Sequence, residues 1–311
     1  MNLLKFITPL NLESEKEKFF SSDSYYPIFT YYWQSEEPVY STSGNKLNLM
    51  KAIFDQNVSD IHKYARAQFE IGSWEHIDLA EEILKVKPGR IPSEEHSQII
   101  ENFAKAFDFL GLYDYKLSIV DTHGFNFRPL CHKKVLQMSK YANFEYMSVD
   151  GEIRHELVHI IRYENGIFNK IPRSDHYLPT EEGLATFMQD KDDKQGASQY
   201  QHAAEYMASR VGLSGSLRDI YNHFVRLGFS EELAWQRASR HKFGFVDTKE
   251  PGDILKPAMY FANAQRVKTL SDKDLLNLFR GKIGLDDFKS TEVYSGIIEK
   301  DRLKKFFKIN E

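Results

Sequence analysis

Residues 151–163 read Gly-Glu-Ile-Arg-His-Glu-Leu-Val-His-Ile-Ile-Arg-Tyr, and the two histidines of that run, His155 and His159, are four apart. On a helix such a pair projects from one face about one turn apart, close enough to share a metal ion. Ile153, Leu157, Ile160 and Ile161 give the same segment an apolar face, which predicts a helix. Glu156 follows the first histidine and would point toward the open coordination position of such a metal, where a carboxylate takes a proton from water instead of ligating. Burying that carboxylate beside two imidazoles is costly unless a metal or hydrogen-bond partners offset it. The chain must therefore build its core around a helix with a polar, metal-competent face.

Two histidines leave a zinc site in need of a third protein ligand. Residues 178–188 read Leu-Pro-Thr-Glu-Glu-Gly-Leu-Ala-Thr-Phe-Met, with Thr180 placed as an N-cap and Pro179 and Leu184 as a hydrophobic staple. A second helix is expected to begin at the acidic pair Glu181 and Glu182. Attraction to the helix dipole accounts for one carboxylate there while the other ligates. Gly183 costs about 1 kcal/mol relative to alanine so early in a helix, which close approach of the metal-bearing helix would explain. The arrangement that takes a third histidine by way of a glycine is absent, because Arg162 and Asn165 occupy those positions. Asp175 and His176, in the intervening loop, are weaker candidates for want of a supporting shell. Two imidazoles and a carboxylate suit one zinc ion with an open position. A structural zinc site is usually closed by four protein ligands, often cysteines, and the chain has only Cys131, expected to be a buried thiol.

The 311 residues, 41% hydrophobic and 28% charged, suffice for a large core in one domain or two closely packed ones. A net charge of −4 without long runs of either sign gives no reason to propose a nucleic-acid partner or an anionic membrane. Lys5 and Pro9 interrupt what a secretory leader would need as its apolar core, and no apolar run approaches the roughly 18 to 20 residues that span a bilayer. A soluble, cytoplasmic protein is expected.

Tyr25, Tyr26, Phe29, Tyr31, Tyr32 and Trp33 crowd together near the start and are expected to pack as core. Helical periodicity covers 47–54, 58–69 and 77–86, and the Lys87-Pro88-Gly89-Arg90-Ile91-Pro92 run breaks it. The expected division is an N-terminal aromatic and helical segment, 1–92, packed on a catalytic body, 93–311. Ser93, Glu94, Glu95 and His96 start a helix whose buried face runs from Ile99 to Leu110 and stops at Gly111. Apolar runs at 117–120, 135–138 and 146–149 predict a small antiparallel sheet. From Gly151 the chain is expected to be helical nearly to its end, with apolar stripes at 197–211 and 230–239 and a polar connector at 191–196. The fold class is thus α+β, mainly helical, with a small antiparallel sheet ahead of the metal-binding helix. An edge strand of that sheet could pair with an extended substrate.

These residues resemble the tyrosine carboxypeptidase family, which includes microtubule-associated enzymes that remove the C-terminal tyrosine of α-tubulin. The resemblance rests on Arg154-His155-Glu156-Leu157-Val158-His159-Ile160-Ile161-Arg162 with Asn165-Gly166, and on Thr180-Glu181-Glu182-Gly183-Leu184-Ala185. It extends to Tyr26-Pro27-Ile28-Phe29-Thr30-Tyr31 and, in the C-terminal half, to Ala234-Trp235 through Arg240, Pro251-Gly252, Lys256 and Tyr260. One spacing differs: two residues separate Glu156 from His159, where the family has three. The wider similarity is to zinc peptidases in which the glutamate directly before a glycine binds the metal, which favours Glu182 over Glu181.

The resemblance implies hydrolysis of a peptide bond near the C-terminus of a protein or peptide, with an aromatic residue as the candidate for release. Zinc would lower the pKa of its water toward ~7 and polarise the scissile carbonyl. Glu156 would be the general base, Tyr260 or His241 the oxyanion donor, and Arg240 or Lys256 the partner of the substrate carboxylate. An aminopeptidase or endopeptidase with the same metal chemistry, or a non-catalytic peptide-binding module that keeps zinc, are the competing readings.

Overall fold

The computed structural model describes residues 3–35, 38, 40, 42–89, 91, 95–122, 125–191, 193, 195–289 and 291–310. It groups them into two compact units, residues 1–86 with 202–259 and residues 87–201 with 260–311. Among the described residues no helix is long and apolar enough to cross a membrane.

In the first unit α1 (Leu3–Ile7) and α2 (Leu12–Ser21) precede the aromatic segment, and α3 (Gly44–Phe54), α4 (Val58–Phe69) and α5 (Ile77–Leu84) follow it. The periodic runs of the sequence thus become helices at nearly their expected bounds. The aromatic segment is core: Phe29, Tyr31 and Trp33 are buried, the Tyr31 and Trp33 rings stack at 5.0 Å, and the Tyr31 hydroxyl donates to the Phe245 carbonyl at 3.0 Å.

The second unit begins with α6 (His96–Leu110), closed by Gly111 in the left-handed conformation at φ 73°. Ser93 and Glu94, expected at its start, lie outside the described residues. Then come β1 (Lys116–Val120), β2 (Phe127–Leu130) and β3 (Val135–Ser139), in the order β1-β3-β2. The sheet is mixed where an antiparallel one was expected, because β1 runs parallel to β3 and only β2 is antiparallel to it. β2 carries Pro129, which cannot donate to a ladder and is accommodated on this edge strand. Residues 146–149 are not a strand. Ser148 instead caps the next helix, its hydroxyl accepting from the Gly151 amide at 3.0 Å, and Tyr146 and Met147 turn into it.

That helix, α7 (Val149–Phe168), is the twenty-residue element that carries His155 and His159. Apart from a few outer positions it is buried along its length, and Ile153, Leu157, Val158, Ile160 and Ile161 join one core cluster with α6, the sheet and the C-terminal segment. The fold is therefore mainly helical, with a small sheet ahead of the helix that bears the two histidines.

The remaining helices are α8 (Tyr177–Asp190), α9 (Ala197–Ser214), α10 (Leu217–Arg226), α11 (Glu231–His241), α12 (Lys256–Lys268), α13 (Asp272–Leu278) and α14 (Lys300–Phe307). α8 starts three residues before Thr180, so Thr180 is not its N-cap. Pro179 falls in the first turn, where its missing N–H leaves no intrahelical bond unmade. The Thr180 hydroxyl accepts from the Leu285 amide at 2.8 Å instead.

Candidate metal centre

α7 and α8 pack side by side and set three donors facing one another. A nitrogen of His155, a nitrogen of His159 and a carboxylate oxygen of Glu182 all lie within 4.8 Å of one another. Glu182 Oε2 is 3.5 Å from each imidazole Nε2. One turn of α7 separates the histidine rings, whose centroids are 5.1 Å apart. Because Glu182 stands in the second turn of α8, attraction to the helix N-terminus, which falls off beyond the first turn, does not account for it.

Each imidazole is held through its other nitrogen. Gln189 donates from Nε2 to Glu152 Oε1 at 2.8 Å, which leaves its Oε1 to accept from His155 Nδ1 at 2.9 Å. Glu181 Oε1 accepts from His159 Nδ1 at 2.9 Å, and an ionised carboxylate can only accept. With both protons on Nδ1, the lone pairs of both Nε2 atoms face Glu182, the tautomer a metal requires.

The charges also fit a cation. Burial alone would lower the pKa of His155, yet the charged imidazolium's hydrogen bond to Glu182 and the nearby Glu156 and Glu152 carboxylates lift it to about 9. The pocket therefore draws positive charge strongly. Burial raises the Glu156 carboxyl to about 7 against the pull of His159 and His155. Its Oε2 is buried and has no hydrogen-bond partner, although desolvating a carboxylate oxygen is expensive. An orphaned carboxylate oxygen beside three converging donors fits a centre that holds a metal and a water. Zinc suits two imidazoles and one carboxylate.

The two acidic side chains point different ways. Glu181, the alternative third ligand in the sequence, faces away from the cluster toward His159 Nδ1 and Lys282, while Glu182 faces both Nε2 atoms. Asp175 and His176 are exposed and outside the cluster.

Gly183 allows a close approach, but not by α7. A Cβ at Gly183 would sit 2.7 Å from the backbone C and O of Asn263 in α12, so its absence is what lets α12 pack there. One turn earlier on α12, Tyr260 places its ring 6.2 Å from that of His155. Gly183→Ala gains about 1 kcal/mol of helix propensity but forces backbone apart, which costs about 1–3 kcal/mol or more. A lower urea midpoint is expected; an unchanged or raised one would show that α12 yields without strain.

His241, Arg240 and Lys256 stand in the first unit. His241 is fully buried, with Nδ1 2.7 Å from Asp253 Oδ2 and 3.2 Å from Ser209 Oγ. Arg240, the penultimate residue of α11, and Lys256, the first of α12, are partly buried. Cys131 is buried, and burial pushes its thiol up to about 11. The residues that sequence reasoning missed are Gln189, Glu152 and Lys282. Gln189 and Glu152 were discernible in principle, lying a helix turn or two from Glu182 and one turn before His155 or Glu156, but nothing in the sequence tied Lys282 to Glu181, 101 positions away.

No protein-family model matches the chain. Among curated proteins it is 24% identical to "Microtubule-associated tyrosine carboxypeptidase 1" of Mus musculus, over 98% of this chain and 65% of that protein. It is 25% identical to "Putative tyrosine carboxypeptidase MATCAP2" of Mus musculus, over 92% of this chain and 55% of that protein. The Rattus norvegicus "Microtubule-associated tyrosine carboxypeptidase 1" matches at 24% over 98% of this chain and 65% of its own length. The chain thus spans less than two thirds of the length of each of these relatives. Over nearly all of its own length, this chain is a distant homologue of the microtubule-associated tyrosine carboxypeptidases and sets His155, His159 and Glu182 together as a candidate metal site.

Proposed function

We propose that the chain is a zinc-dependent peptidase, acting as a carboxypeptidase on the C-terminal end of a protein or peptide. The observation that carries this reading is the convergence of the His155, His159 and Glu182 donors beside Glu156, whose buried Oε2 has no hydrogen-bond partner. The distant homology to tyrosine carboxypeptidases supports it.

His155, His159 and Glu182 would hold the zinc. Bound there, zinc polarises the scissile carbonyl and makes water a competent nucleophile near neutral pH. Glu156 would take the proton of the attacking water and pass it to the leaving amine. Gln189 and Glu181 fix the two imidazoles through their Nδ1 atoms. Tyr260, whose ring lies near that of His155, is the favoured donor to the oxyanion. His241 is the other candidate for that role, and Arg240 and Lys256 are candidates to pair with the free carboxylate of the substrate.

The direction of attack is tested with one peptide in four forms. Cleavage is expected of the peptide with both ends free and of the N-acetylated form, and amidation of the C-terminus should abolish it. Retention of cleavage after amidation, with loss after N-acetylation, would make the protein an aminopeptidase. Cleavage of the doubly blocked peptide would make it an endopeptidase.

A further inference from the structure

The metal-facing nitrogen of His159 is fixed by a chain of contacts that ends far along the sequence. Glu181 Oε1 accepts from His159 Nδ1 at 2.9 Å and from Lys282 Nζ at 2.6 Å. Arg162 Nη1 lies 3.5 Å from the other Glu181 oxygen. Lys282, itself largely buried, pairs with a carboxylate that is buried too.

Lys282 is not there by chance packing of a flexible side chain. Arg162, one turn beyond His159 on α7, is fully buried and donates from Nε to the Leu278 and Gly281 carbonyls and from Nη2 to the Ile283 carbonyl. The Ser174 amide donates to the Lys282 carbonyl at 2.9 Å, and the Leu285 amide donates to Thr180 Oγ1. A Cβ at Gly281 would stand 3.3 Å from the Cα of Gly166 in α7, so a larger residue would push this segment away. Residues 278–285 are thus bound at several backbone points to the helix that carries the histidines and to the helix that carries the acidic pair.

We infer that Lys282 and Glu181 are positioning residues of the metal centre: Glu181 sets the orientation of His159, and Lys282, delivered by segment 278–285, holds Glu181 in place. This rests on the zinc reading above. It divides the adjacent glutamates between two roles, with Glu182 a ligand and Glu181 an outer partner. An outer partner of a ligating histidine is commonly worth about 10- to 100-fold in metal affinity.

The test measures zinc affinity of the full chain by competition with a chromophoric chelator, with Zn2+ alone as the probe and the spectrum of the cobalt-substituted protein as a second readout. Glu181→Ala and Lys282→Met are each expected to weaken zinc binding about 10- to 100-fold while one zinc per chain is still bound at saturation. Both should alter the cobalt spectrum. Glu181→Gln, which keeps an acceptor for Nδ1, and Lys282→Arg, which keeps the charge, should recover part of the loss. Circular dichroism of the metal-free variants reports whether they fold. If Lys282→Met fails to fold, Lys282→Arg and Glu181→Gln carry the test.

Wild-type affinity and an unchanged cobalt spectrum in the folded variants would overturn the inference. So would loss of stoichiometric zinc in Glu181→Ala with retention in Glu182→Ala, since Glu181 would then be the ligand. A wild-type chain that binds no zinc would instead sink the metal reading on which the inference stands.

Discussion

Glu156→Gln is expected to lower kcat for peptide cleavage by roughly 10²- to 10⁴-fold, the span general acid–base catalysis contributes, while zinc content stays at one per chain. The amide keeps the shape of the side chain but takes no proton at neutral pH. Glu156 Oε2 makes no hydrogen bond within the fold, so the substitution breaks no protein contact at that atom. It also removes a buried carboxyl whose pKa burial lifts to about 7, and with it the cost of ionising that group in the interior. Stability should therefore hold or rise as activity falls, a combination that a structural role for Glu156 would not produce. Full activity in a zinc-loaded Glu156→Gln protein would remove Glu156 as the base.

His159→Ala has the second large effect. It deletes one of the three donors and leaves Glu181 and Lys282 without the imidazole between them and the metal. Zinc affinity should fall by more than the about 10- to 100-fold expected of an outer partner, with activity lost at ordinary zinc concentrations. The effect also appears in stability. A ligand that binds only the folded chain contributes about 4 kcal/mol when present at a thousand times its Kd. Chelation should therefore lower the melting temperature of the wild-type protein and leave that of His159→Ala unchanged. Equal sensitivity of both proteins to the chelator would place the stabilising metal elsewhere.

The helix of the site was legible because its signal is local. His155, Glu156 and His159 fall on one face by helical spacing alone, and the isoleucines and leucine around them declare which way that face points. Glu182 is singled out in the sequence by its place before Gly183, and it is the carboxylate that lies beside the two histidines, although Gly183 itself makes room for Asn263 of α12. Long-range features were not legible. Whether β1 and β3 run parallel depends on where the chain returns after β2, and nothing in residues 117–138 records that path. Pro129 hid β2, since a proline argues against a strand unless the strand is known to be at an edge. At 146–149 an apolar run was read as a strand where the Ser148 hydroxyl, capping α7, settled the matter locally. The same reasoning misplaced the start of α8. Thr180 has the chemistry of a cap, but helix packing gave its hydroxyl a partner at Leu285. Glu181 shows the limit most clearly, because its pairing with Lys282, 101 positions away, is written nowhere in the local sequence.

Anomalous diffraction at the zinc absorption edge, from crystals of the protein grown with zinc, tests the metal centre most directly. The account expects one strong peak per chain, within bonding distance of His155 Nε2, His159 Nε2 and a Glu182 carboxylate oxygen, with Glu181 turned to His159 Nδ1. No peak at these residues, or a peak ligated by Glu181 in place of Glu182, would contradict it.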